Sequence, residues 1–197
     1  MQIKSATFVL GARGLADCPA WPHPEVALIG RSNVGKSSLI NLLVQRHDLA
    51  KVSGTPGKTR QLNFFLINGK WGLVDLPGYG FAVGPKSERS GFNVLVGDYL
   101  ERRENLRHVM VLIDSRLTPQ AIDLDFLGWL AATGRAFSLV FTKTDKQSAA
   151  KTGASIALFE EALHPLIGFL PDKLVSSATK RVGRPQILAA ISQAVSA

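Results

Sequence analysis

The stretch Gly-Arg-Ser-Asn-Val-Gly-Lys-Ser, residues 30–37, constrains the fold of this chain more than any other. It fits the pattern G-x-x-x-x-G-K-[S/T], which cradles phosphate groups when it joins a strand to a helix. Both flanks fit. Residues 25–30, Glu-Val-Ala-Leu-Ile-Gly, form a short apolar run ending in glycine, as a buried strand does, and Leu39, Ile40, Leu42 and Leu43 give residues 36–44 an apolar helical face. Gly30 and Gly35 let the main chain come close, so that the loop through Arg31, Ser32, Asn33 and Val34 can turn its N–H groups toward phosphate oxygens. Lys36 adds a cation for the β- and γ-phosphates, the helix N-terminus adds its dipole, and the Ser37 hydroxyl can ligate Mg²⁺.

The rest of the chain alternates strand and helix, which predicts an α/β domain of three layers around a mostly parallel sheet. The expected sheet has six strands, at 25–30, 61–67, 70–76, 108–114, 136–142 and 173–177. Asn68-Gly69 is a strong hairpin signal, so residues 61–67 should run antiparallel to 70–76 and lie at the sheet edge. Helices are expected at 36–44, around 90–105, after Thr118-Pro119, around 150–163 and from about Pro185. Residues 1–24 read as an N-terminal extension packed on a domain spanning 25–197. The one long polar connection, 46–60, carries Gly54, Pro56 and Gly57, and loops of that size are usually functional.

Bulk composition narrows the partners. The 197 residues contain 23 Lys and Arg against 15 Asp and Glu, a net charge of +8. That surplus suits an anionic partner such as nucleic acid, though a merely soluble basic surface would read the same way. Basic residues gather in Arg102-Arg103-Glu104-Asn105-Leu106-Arg107, in Lys180, Arg181 and Arg184, and in Lys58, Arg60, Lys86 and Arg89. No aromatic-rich module accompanies them, so shape and phosphate recognition of folded RNA is expected. Cys18 is the single cysteine and cannot form an internal disulfide. No signal-peptide core and no membrane span is evident, so the expectation is a cytoplasmic protein without a membrane partner.

Two further motifs specify the nucleotide. Asp75 closes an apolar strand and begins Asp-Leu-Pro-Gly (75–78), where it fits an acid that holds Mg²⁺ through water. Leu76 and Pro77 lead to Gly78, whose N–H could meet a γ-phosphate and serve as the pivot of a switch. Tyr79 stands where many switch proteins carry a water-orienting Gln, so hydrolysis should be slow. Thr-Lys-Thr-Asp (142–145) ends another strand. Asp145 can accept hydrogen bonds from guanine N1–H and its 2-amino group, a donor pair adenine lacks, while the Lys143 stem can lie over the purine and Thr142 and Thr144 frame the turn. Val175, Ser176, Ser177 and Ala178 close the last strand, and the Ala178 N–H could reach guanine O6. GTP and GDP are the expected ligands.

Together, residues 30–37, Gly54–Phe65, Val74–Ala82, Thr142–Asp145 and Val175–Ala178 resemble the EngB (YihA/YsxC) family of ribosome-biogenesis GTP-binding proteins, in the TrmE/Era-like branch of P-loop GTPases. The likeness covers nearly the whole chain. It implies a Ras-like G-domain, a monomer, with Mg²⁺ held at Ser37, Thr59 and Asp75, and nucleotide contacts that include Gly57, Lys58, Thr59, Arg60 and Gln61. It also implies a slow GTPase that acts on the large ribosomal subunit precursor and rRNA, with a link to division septum formation. Thr142 stands where most general GTPases have Asn, so base affinity should be modest. The residues expected to carry catalysis are Lys36, Thr59, Gly78 and Asn33, the last matching the position where some related GTPases hold K⁺ beside the phosphates. Two other classes are a nucleotide-gated RNA-binding module that needs no hydrolysis and a small-molecule P-loop kinase.

Overall fold

Every residue of the strand Glu25–Gly30 is buried, so both of its faces must be covered. The computed structural model describes residues 1–46, 49–50, 61–79 and 94–196. Within them run β1 (Ala6–Ala12), β2 (Glu25–Gly30), α1 (Lys36–Val44), β3 (Leu62–Ile67), β4 (Trp71–Asp75), α2 (Val94–Arg102), β5 (Leu106–Asp114), α3 (Ala121–Ala132), β6 (Phe137–Thr142), α4 (Ala149–Ile167), β7 (Lys173–Val175) and α5 (Arg184–Ser196). The strands form one sheet in the order β1-β3-β4-β2-β5-β6-β7. β2 is parallel to β4 and β5, and β6 is parallel to β5 and β7, whereas β3 is antiparallel to both of its neighbours.

Period-two alternation divides the central strands between two cores. Ala27 and Ile29 of β2, with Val109, Val111 and Ile113 of β5, face a core closed by Tyr99 of α2, Phe126 and Leu130 of α3 and Phe159 of α4. Val26 and Leu28, with Met110 and Leu112, face a second core closed by Leu39, Ile40 and Leu43 of α1 and Ile187, Leu188 and Ile191 of α5. The result is the expected three-layer α/β architecture, and its parallel strands deliver their carboxyl ends to one side.

The structure differs from the six-strand expectation at one edge. A seventh strand, β1, pairs with β3 and takes the edge position assigned to residues 61–67, so β3 lies second from the edge. Its sequence signal is weak because the register shifts between Phe8 and Leu10, which breaks the alternation. The turn between β3 and β4 anchors the preceding residues: Asn68, at φ 53°, accepts from the Lys4 and Ser5 N–H groups and donates to the Gln2 carbonyl.

At the amino end of β2 the fully buried Glu25 collects donors from three residues. Its carboxylate accepts from Trp21 Nε1 at 2.7 Å, Tyr99 Oη at 2.7 Å and the Arg103 guanidinium, which also donates to the Pro19 carbonyl. Arg103 is therefore an internal group and leaves the basic cluster of 102–107 to Arg102 and Arg107. Cys18 is buried beside this network, and burial pushes its thiol up to about 11, far from a nucleophile's range.

Candidate functional site

The loop from Gly30 to Gly35 runs from the carboxyl end of β2 into α1, and its backbone is shaped by two left-handed residues, Asn33 at φ 62° and Gly35 at φ 112°. Gly30 has no room for a side chain, since a Cβ would lie 2.6 Å from the Leu112 carbonyl oxygen and 2.9 Å from Val34 Cγ1. α1 has no side-chain N-cap, so its first N–H groups are open to an anion.

β4 lies beside β2 and brings Asp75 to this loop. Burial raises the Asp75 carboxyl to about 6, opposed by the charge of Lys36 and a hydrogen bond from Asn63, and burial likewise lowers the Lys36 ammonium, opposed by Asp75. Each group thus acts on the other's charge in a dry setting. Asp75 Oδ1 is buried with no hydrogen-bond partner. An orphaned carboxylate oxygen that feels the charge of Lys36, the residue next to Ser37, is a hard-oxygen donor that suits Mg²⁺ completed by a hydroxyl, phosphate oxygens and water. Among the described residues there is no cluster of three or more His, Cys, Asp or Glu that could hold a metal alone.

After β4, the Leu76 N–H donates to the Leu28 carbonyl, and the turn Pro77-Gly78 lies on the loop. A Cβ at Gly78 would sit 2.8 Å from the Gly30 oxygen and 3.1 Å from the Ser32 nitrogen, so only glycine lets the two backbones touch. Tyr79 turns the other way. Its ring is buried and stacked on Phe126 with centroids 4.4 Å apart, and its hydroxyl donates to Asp123 Oδ1 at 2.8 Å.

β5 and β6 supply the second half of the site. Thr142 Oγ1 donates to the Val34 carbonyl at 2.7 Å, and Lys143, at φ 60°, reaches back so that Nζ meets the Asn33 carbonyl at 2.7 Å and Asp114 Oδ2 at 2.9 Å. The strand end is thereby tied to the phosphate loop through two carbonyls. Against desolvation, bonds from Arg116 and Lys143 hold the Asp114 carboxyl at about 2. Asp145 follows on a short 3₁₀ turn with 6% of its side chain exposed, and Ser177 Oγ donates to its Oδ1 at 2.6 Å. That bond is the leading cause that lowers the Asp145 carboxyl below its ordinary range. Ser176 accepts from the Thr144 N–H and hydroxyl, and Ser177 also accepts from the Lys180 N–H. Gly183, at φ 88°, has no room for a side chain, whose Cβ would strike the Val175 carbonyl, and Ala178 follows directly on the Ser177 that bonds Asp145.

The structure therefore brings together the loop 30–37, Asp75 to Gly78, Thr142 to Asp145 and Ser176 and Ser177, with Ala178 next in sequence. Val175 belongs to the edge strand β7. Gln61 is not brought to them, because its side chain lies over Gly11 of β1 and donates to Asn63. Gly57, Lys58, Thr59 and Arg60, with Lys86 and Arg89, lie outside the described residues. Arg184 donates to the Leu42 and Leu43 carbonyls at the end of α1 and so is withdrawn from the basic patch, which leaves exposed Lys180 and Arg181. Asp114, Asp123 and the double role of Ser177 went unnoticed in the sequence, which carries no pattern that singles them out.

A mostly parallel sheet with this loop at the end of β2, an aspartate at the end of β4 and a carboxylate turn at the end of β6 defines a P-loop nucleotide-binding domain of the GTPase class. A family model described as "50S ribosome-binding GTPase" matches residues 25–143. A "Probable GTP-binding protein EngB" of Bacteroides fragilis is 45% identical over 188 residues, covering 95% of this chain and 94% of the relative. The chain belongs to the EngB family of GTP-binding proteins. Among solved structures, a probable GTP-binding protein engB superposes with a TM-score of 0.68 at 21% identity over 87% of this chain and 98% of that one. Era in complex with MgGDPNP and nucleotides 1506–1542 of 16S ribosomal RNA gives 0.65 at 24% identity over 87% of this chain and 56% of that one. At these identities both likenesses speak to the fold.

Proposed function

We propose that this protein binds GTP and GDP at the cluster just described, hydrolyses GTP slowly, and uses the cycle to serve large ribosomal subunit assembly in the cytoplasm as a monomer. The observation that carries this reading is the pairing of the phosphate loop with the Asp145 carboxylate, tied together by Thr142 and Lys143. Ser37 and Asp75, with Thr59, would hold Mg²⁺, which when bound neutralises charge on the β- and γ-phosphates. Lys36 and the loop N–H groups would grip the phosphates, and the Gly78 N–H would meet the γ-phosphate. Calorimetry with Mg²⁺ tests the reading: guanine nucleotides should bind and ATP should not, and equal uptake of both would end it.

Because the Tyr79 side chain is buried against α3, it cannot order the attacking water, which supports a low intrinsic rate. Two sources would supply what is missing. Asn33, exposed and with its carbonyl held by Lys143, would hold a K⁺ beside the phosphates, and single-turnover hydrolysis should then run faster in K⁺ than in Na⁺ and lose that difference in Asn33→Ala. The other source is the ribosomal partner. The buried Tyr79 also favours a second reading, a nucleotide-gated RNA-binding module for which hydrolysis is dispensable. An unhydrolysable analogue that sustains a full assembly cycle would establish it.

Gly78→Ala should weaken binding of a GTP analogue by about tenfold or more while GDP affinity changes little, since the added methyl meets the Gly30 and Ser32 backbone. Competition binding of the two nucleotides reads this directly. The +8 surplus and the exposed Lys180 and Arg181 support an RNA partner, and the family resemblance adds the large subunit and division septum formation. Reversing both charges should weaken association with large-subunit particles and reduce its salt dependence, with GTP affinity unaltered. Arg184 is excluded from that test because it caps α1.

A further inference from the structure

Asp123 is a carboxylate that the nucleotide site does not use, yet it is buried in the first turn of α3 with 4% of its surface exposed. A buried acid costs stability unless it is hydrogen-bonded, and its side-chain bond is the one it accepts from Tyr79 Oη at 2.8 Å. The stacking of Tyr79 on Phe126, with planes 18° apart, fixes the ring in the same pocket. Four residues upstream the chain leaves β4 at Asp75, and one residue upstream Gly78 is in backbone contact with Gly30 and Ser32. The Asp75–Tyr79 turn is thus held at both ends, by the β4 strand and the Leu76–Leu28 bond at one and by the Tyr79–Asp123 bond at the other. Arg31, in the phosphate loop itself, acts electrostatically on both Tyr79 and Asp123.

We propose that Asp123 is a positioning residue for the triphosphate-bound state: by holding Tyr79 in the α3 pocket, it keeps the Gly78 backbone on the phosphate loop where a terminal phosphate would be met. Tyr79 is then not a failed substitute for a water-orienting side chain. It is the peg of a clamp, and Asp123 is the socket. The proposal rests on the guanine-nucleotide reading above and adds a residue to it. A diphosphate, gripped by the loop and by Asp145, makes no demand on Gly78, so the clamp should matter for GTP and not for GDP. If release of the clamp leaves the closed turn populated about one-tenth of the time, triphosphate affinity falls by about tenfold in proportion.

The test compares affinities of the full chain, with Mg²⁺, for GDP and for the β,γ-imido analogue of GTP. Tyr79→Phe keeps the ring and its stack and removes only the hydroxyl, so it is the sharpest variant. It should lower analogue affinity by about tenfold, with GDP affinity unchanged within about twofold. Asp123→Ala should match it, and the double variant should be no worse than either single one, because both remove the same bond. Asp123→Asn retains an oxygen that accepts from Tyr79 Oη and should restore the wild-type ratio. Loss of folded protein alone would depress both affinities together and leave the ratio intact, as would a purely structural bond. An unchanged ratio in Tyr79→Phe and Asp123→Ala, with the wild type binding both nucleotides, overturns the clamp and leaves the guanine reading standing. A wild type that binds neither nucleotide overturns both.

Discussion

Asp145→Asn is expected to convert the guanine site into a xanthine site. The Asp145 carboxylate is nearly covered, and Ser177 Oγ donates to its Oδ1 at 2.6 Å while accepting from the Lys180 N–H. Ser177 has one proton, and the carboxylate takes it. In the asparagine variant the same proton still needs an acceptor, so the carbonyl oxygen will turn toward Ser177 and the amide nitrogen toward the base. A nitrogen donor there meets the 2-amino group of guanine, donor against donor, but suits the 2-oxo group of xanthine. Affinity for GTP should drop by about 10²–10³-fold and affinity for xanthosine triphosphate should rise correspondingly, because a buried polar group left unpaired is the strongest source of discrimination a pocket has. Competition binding with Mg²⁺, on variant and wild type, measures both directions. An equal loss of the two triphosphates would show that Asp145 only shapes the turn, and an unchanged GTP affinity would remove it from the base site.

The site was legible where chemistry is encoded by local spacing, and the fold where hydrophobic period is strong. The loop 30–37 announces its strand, its turn and its helix within a dozen residues, and Asn68-Gly69 fixes the antiparallel β3–β4 pair. β1 was missed because its register shift at Val9 breaks the two-residue period, and with it went the identity of the edge strand. Tyr79 shows the deeper limit. Its neighbours in sequence place it at the phosphates, but direction is decided by Asp123, 44 positions later in the chain, and by Phe126 beyond it. In sequence, Asp123 reads as an acid near a helix start, favoured there by the helix dipole. Arg103 and Arg184 teach the same lesson about charge: both count toward the basic surplus, and both are consumed internally by Glu25 and by α1 carbonyls.

Glu25→Ala should be the most destabilising change away from the nucleotide. Removing that carboxylate strands the Tyr99 hydroxyl, the Trp21 indole N–H and most of the Arg103 guanidinium, whose side chain is only 14% exposed and would retain the Pro19 carbonyl. Breaking a buried pair from one side typically costs about 3–5 kcal/mol, because the remaining charge is left uncompensated. Urea denaturation should register that loss as a lower midpoint with little change in slope. Glu25→Gln keeps the shape and an acceptor oxygen, and should cost less, about 1–3 kcal/mol, through loss of the charge opposite Arg103. The combined Glu25→Leu, Arg103→Met variant removes both charges and should recover the part of the loss that comes from the uncompensated guanidinium, while the Tyr99 hydroxyl and the Trp21 N–H stay unpaired. The network lies at the amino end of β2 and the phosphate loop at its carboxyl end, a strand's length of about 17 Å away. Folded Glu25→Ala protein should therefore bind GDP as tightly as the wild type. Were its stability within about 1 kcal/mol of the wild type, the donors around Glu25 would have to find other partners or water on mutation, and the network would be a consequence of packing instead of one of its causes.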